Sequence, residues 1–213
     1  GKTSVITRKI AYLIKQCGIP GKHIAAVTFT NKASREMKER VSKLISGPDA
    51  RGLRVSTFHN LGLNIIKSEH KVLGYKPGFS IFDSEDAKAL IRDLMMKEGD
   101  ENTDNINQYQ MEISNWKNAM LTPEDAIKQA KTPDDLMLAN VYATYRRYLK
   151  AYNALDFDDL ILQPVLLFKN HPESLSRWRQ KIRYLLVDEY QDTNMAQYEL
   201  VKQLVGDRNT LTV

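Results

Sequence analysis

A chain of 213 residues, 42% hydrophobic and 27% charged, is long enough for one large domain or two small ones, and this composition excludes collagen-like, disordered and coiled-coil proteins. Apolar runs are short, Tyr184–Val187 being four residues, so the sequence predicts no membrane span, no signal-peptide apolar block at its opening Gly1-Lys2-Thr3 and, with Cys17 as the only cysteine, a cytoplasmic protein without an intrachain disulfide. The net charge of +5 is unevenly spread: residues 1–76 carry 15 Lys/Arg against 4 Asp/Glu and residues 77–180 carry 12 against 17, which aims the amino-terminal third at a polyanion or solvates its helix faces.

Val5, Ile6, Ile10, Leu13 and Ile14 recur at helical steps after Thr3, and Gly18 and Pro20 end that helix. Ile24–Thr30 reads as a buried strand, Asn31 as the cap of a helix carrying Ala33, Met37, Val41 and Leu44, and Leu53–Thr57 as a second strand. Leu61, Ile65 and Ile66 start another helix. From Asp83 to about His171 the periodicity is helical almost throughout, with stripes at Leu90, Ile91, Leu94 and Met95, at Ile106, Tyr109, Ile113 and Trp116, and at Leu138, Tyr142, Tyr145, Leu149 and Tyr152. Thr122-Pro123-Glu124-Asp125 and Thr132-Pro133-Asp134-Asp135 are helix starts. Strand character returns at Tyr184–Val187, a helix follows through Met195, Tyr198, Val201 and Leu204, and Thr210–Val213 begins one more strand. The predicted class is α/β: a parallel sheet with helices packed on it, both ends of the chain contributing, interrupted by an all-helical insertion.

Gly1-Lys2-Thr3 matches the end of a P-loop, in which the Lys reaches the β/γ-phosphates and the Thr hydroxyl binds Mg²⁺. Asp188-Glu189 stands at the carboxyl end of an apolar strand, where α/β sheets bind ligands; one acid can hold Mg²⁺ and the other orient or deprotonate water. Phe29-Thr30-Asn31-Lys32 and Thr57-Phe58-His59 pair hydroxyls and backbone N–H groups with an aromatic ring at strand-to-helix junctions, a pattern suited to single-stranded nucleic acid. Asp156, Asp158 and Asp159 read as a helix cap with first-turn acids rather than a metal site, and Trp116, Trp178 and the tyrosine stripe read as packing residues. On the residues alone, another P-loop enzyme such as a nucleotide kinase and a non-catalytic DNA-binding module stay open.

The segments AAVTFTNKASREMKERV, VSTFHNLGLNII, LDFDDLI and YLLVDEYQDTNMAQYELVK resemble the UvrD/Rep/PcrA family of superfamily 1 DNA helicases along the whole chain. The resemblance implies a RecA-like P-loop motor domain, 1A, over residues 1–60 and 173–213, carrying the helical domain 1B over residues 61–172. It further implies ATP and Mg²⁺ as cofactors, single-stranded DNA and duplex junctions as partners, replication or repair proteins as candidate partners, and 3′-to-5′ movement. By resemblance Gly1, Lys2, Thr3, Asp188 and Gln191 serve nucleotide and metal, Glu189 is the catalytic base, and residues 29–32 and 57–59 line the strand track. Ser4 departs from the Arg of most members. The same resemblance places the first P-loop glycines before residue 1 and the second motor domain after Val213, so the 213 residues alone are expected to hydrolyse little ATP.

Overall fold

The computed structural model describes residues 2–100, 103–189, 193–206 and 211–212, with the side chains of all of these except 2, 103, 211 and 212. Helix α1 (Lys2–Lys15) leads into strand β1 (Ile24–Thr28), helix α2 (Asn31–Leu44), strand β2 (Arg54–Thr57) and helices α3 (Phe58–Ser68) and α4 (His70–Leu73). The chain then runs through β3 (Ser80–Phe82), α5 (Ser84–Lys97), α6 (Ile106–Asn118), α7 (Pro123–Gln129), α8 (Pro133–Ala151) and β4 (Ala154–Asp156). It finishes with α9 (Asp159–Asn170), α10 (Pro172–Lys181), β5 (Tyr184–Val187), α11 (Met195–Val205) and β6 (Leu211–Thr212).

Four strands form a parallel sheet in the order β2-β1-β5-β6, so β1 is paired on both sides and all five of its residues are buried. Alternating side chains divide the two faces. Ala25, Val27, Leu185 and Val187 point into a core with Phe58, Leu61 and Ile65 of α3, Ile161 and Val165 of α9, Trp178 of α10 and Leu200 of α11. Ile24, Ala26 and Leu186 point the other way, against Ile6 and Ile10 of α1 and Met37 and Val41 of α2. Helices therefore cover both faces of a RecA-like sheet. Helices α3 and α9 pack on this sheet even though they flank the insertion in sequence.

The insertion has its own core, built by Leu90, Ile91 and Met95 of α5, Ile106, Tyr109 and Ile113 of α6, and Tyr142, Tyr145 and Leu149 of α8. Tyr142 is sealed inside, its hydroxyl donating to Leu121 O (2.7 Å) and its ring 5.1 Å from Trp116. Helices α7 and α8 begin at Thr122 and Thr132 with reciprocal side-chain caps, as their Thr-Pro-acid-acid starts predict. The insertion is helical apart from one short parallel ladder, β3 with β4, which no sequence period announces.

Several boundaries move by a residue or more: β1 ends at Thr28 rather than Thr30, and β2 begins at Arg54 rather than Leu53. The cap of α2 is Thr30 rather than Asn31, because Thr30 is extended and its hydroxyl accepts from Ala33 N at 3.1 Å. Helix α3 starts at Phe58, capped by Thr57 through Asn60 N at 3.1 Å, rather than near Leu61.

Candidate functional site

Parallel pairing puts the carboxyl ends of β2, β1 and β5 side by side: Thr28 is in register with Thr57, and Val27 with both Ser56 and Val187. Three of the sequence motifs thereby emerge on one sheet edge, as expected for ligand binding outside the carboxyl ends of parallel strands.

At β5 the chain leaves the sheet through Asp188, whose N–H donates to Val27 O at 3.0 Å. Asp188 is 6% exposed, and its Oδ2 accepts from the Thr3 hydroxyl of α1 at 3.4 Å, joining residues 185 apart in sequence. Thr7, one turn further along α1, donates to Thr3 O. The other oxygen, Asp188 Oδ1, is buried with no hydrogen-bond partner among the described residues. Leaving a buried carboxylate oxygen unpaired is costly, and a cation beside Thr3 would satisfy it. Glu189 has φ +62°, a left-handed conformation that a non-glycine residue adopts at a cost, and it is exposed while Asp188 is buried. That reversal sends two consecutive carboxylates to different environments. Lys2 opens α1 directly before Thr3; its side chain, Gly1 and Gln191 lie outside the described parts of the structure.

Beside this corner, at the ends of β1 and β2, a cleft of about 420 Å³ is lined by Phe29, Thr30, Asn31, Thr57, His59 and Phe157, among others. The helix starts of α2 and α3 both border it. The oxygens of Thr30 and Thr57 are occupied as cap acceptors, which leaves each O–H free to donate. Lys32 is exposed at the start of α2. Burial pushes the His59 imidazole, which lines the cleft, below its ordinary pKa and so favours its neutral form. Phe58 requires a correction: at 1% exposure it belongs to the sheet core, so its ring supports Phe29 from below (centroids 5.3 Å apart) and offers no face to a base.

Two residues escaped the sequence reading. Phe157, 50% exposed between flanking acids, stands in the wall of the cleft about 100 residues after the other aromatic rings. Lys117 is 1% exposed, its ammonium 2.8 Å from both Asp156 Oδ1 and Asp159 Oδ1. Asp156 Oδ2 accepts from the Tyr145 hydroxyl at 2.8 Å. Burial works against the Lys117 charge, but the two aspartates outweigh it and hold its pKa above the ordinary value. The signal for Lys117 is its phase: it follows Ile113 by four positions, on the apolar stripe of α6, where a cation needs a buried acid. Asp158, expected among the capping acids, makes no cap hydrogen bond; Asp156 instead accepts from Asp159 N at 2.9 Å.

A family model for the UvrD/REP helicase N-terminal domain matches residues 1–213. The chain is 54% identical over 213 residues to the ATP-dependent DNA helicase Rep of Salmonella typhimurium, covering all of this chain and 32% of that protein. The Rep helicase of Escherichia coli strain K12 is likewise 54% identical over the whole chain, again covering 32% of its length. The ATP-dependent DNA helicase PcrA of Staphylococcus aureus strain Mu50 is 43% identical over 220 residues, all of this chain and 29% of that protein. The chain thus spans about a third of the length of the relatives it matches.

Proposed function

The chain belongs to the UvrD/REP helicase family, and from that membership we propose that it forms the first motor segment of an ATP-dependent DNA helicase that moves 3′ to 5′ along one strand and separates duplex DNA in replication or repair. The supporting observation is the meeting of Thr3 and Asp188, which joins the start of α1 to the carboxyl end of β5.

Thr3 and Asp188 are the residues that would hold Mg²⁺, whose bound charge would neutralise the β- and γ-phosphates of ATP. Lys2 is assigned to those phosphates, and the backbone N–H groups at the start of α1 supply part of the cradle around them. Glu189, exposed next to Asp188, takes the proton of the attacking water, and Gln191 links the nucleotide side to the strand side. Phe29, Thr30, Asn31, Lys32, Thr57, His59 and Phe157 hold the strand: N–H and O–H groups at the two helix starts meet phosphates, and the half-buried Phe29 and exposed Phe157 rings meet bases. Both sides hang from β1, since Asp188 N–H is bonded to Val27, two residues before Phe29. The packing of α3 and α9 on the sheet core supports counting both with domain 1A, with 1B between Glu69 and Asp156.

In the full-length protein, Glu189→Gln is expected to lower DNA-stimulated ATP hydrolysis by at least about 100-fold while single-strand binding persists. Lys2→Ala should do the same through loss of the phosphate contact. Wild-type turnover in either variant, or turnover indifferent to added DNA, would remove the helicase assignment.

A further inference from the structure

Phe157 sits in a turn that is held unusually tightly. Asp156 N donates to Asp159 Oδ2 (3.1 Å) and Asp159 N donates to Asp156 Oδ1 (2.9 Å), so the two acids close a reciprocal box around Phe157 and Asp158. Lys117 then ties the two side chains together from the last turn of α6, Tyr145 of α8 binds the far oxygen of Asp156, and Gln163 of α9 donates to Asp159 Oδ1 at 3.3 Å. The grip therefore comes from two helices of the insertion and one helix packed on the sheet.

We propose that Lys117 is a positioning residue for strand binding: by clamping Asp156 and Asp159 it sets the turn that holds Phe157 in the wall of the cleft, and so couples the insertion to the strand-binding face. The inference rests on reading that cleft as the single-strand track. Stability does not account for the cluster, because a buried ion pair contributes little beyond what well-packed apolar side chains of the same volume would. What charged groups add is direction: an ammonium with two carboxylate partners at 2.8 Å fixes the relative placement of the residues on either side of Phe157. Direction matters at this ring because Phe157 also lines a second cavity, of about 360 Å³, between α5 and α6, bordered by Ser84, Asn107, Gln110, Ser114 and Asp158. The ring stands in a wall shared by the two cavities, and the clamp holds it on the side that also carries Phe29 and His59.

The test is a double-mutant cycle in the full-length protein, read with an oligothymidine carrying one 2-aminopurine, whose fluorescence falls when it stacks on a ring. Phe157→Ala should weaken binding about 10-fold and remove the stacking signal. Lys117→Met should reproduce both effects, and the double variant should bind no more weakly than Phe157→Ala. Wild-type affinity in Lys117→Met, or a loss that multiplies with that of Phe157→Ala, overturns the proposal. If Lys117→Met does not fold, Tyr145→Phe, which removes one hydroxyl from Asp156, replaces it. It should weaken binding about threefold alone and not at all beside Phe157→Ala, by the same non-additivity; wild-type affinity overturns the proposal there as well. The cleft assignment fails separately, when Phe157→Ala and His59→Ala both bind strand as the wild type does.

Discussion

Single residues at this site are set by what surrounds them rather than by their own chemistry. Asp156, Asp158 and Asp159 are identical side chains within four positions, yet two share a buried ammonium and the third does not. Burial, reinforced by the Asp156 charge, pushes the Asp158 carboxyl from 3.8 up to about 6. Because the folded protein holds that proton more tightly than the unfolded chain, the stabilisation is complete below about pH 4 and is lost as pH rises through about 6. Asp158→Asn, which mimics the protonated acid, should raise the melting temperature at about pH 7.5 and change it little at about pH 4.5. Equal shifts at the two pH values would show that charge on Asp158 is not the cause. The acids were visible in the sequence, but their separate roles were not, since Lys117 reaches them from about 40 positions away.

At the scale of elements, the sheet-facing helices depend on one close approach. A Cβ added at Gly62 of α3 would lie 1.7 Å from Leu160 O of α9, so the two backbones touch only because that side chain is absent. Gly62→Ala is expected to destabilise the fold by about 3 kcal/mol or more, lowering the urea midpoint. Gly47→Ala, where an added Cβ meets nothing within 4 Å, is the matched control and should leave the midpoint nearly unchanged. Helix starts such as Thr122-Pro123 and Thr132-Pro133 were legible because a cap is made within one turn of chain. The ladder of β3 with β4 was not, because three-residue strands show no period and their pairing spans about 70 residues.

Across the whole molecule, charge is divided as the chain is: the basic excess of residues 1–76 lies mainly on α1 and α2, and the acidic excess of residues 77–180 falls mainly on the insertion. If Lys32 neutralises one phosphate in the cleft, Lys32→Ala should reduce the slope of log affinity against log salt by about 0.7, uniformly across strand sequences. Lys128→Ala, exposed on α7 of the insertion, should leave that slope unchanged. The order of the main-sheet strands and the helices beside them, the phosphate and acid motifs and the family resemblance were readable in the sequence, because each is written in neighbouring residues or a short period. Only the tertiary structure decided that Thr3 meets Asp188, that Phe58 is core while Phe157 lines the cleft, and that Lys117 joins Asp156 to Asp159. Those outcomes depend on which distant segments the parallel sheet and the packed helices bring within a few ångströms, and separations of 185 and 39 residues leave no mark on local pattern.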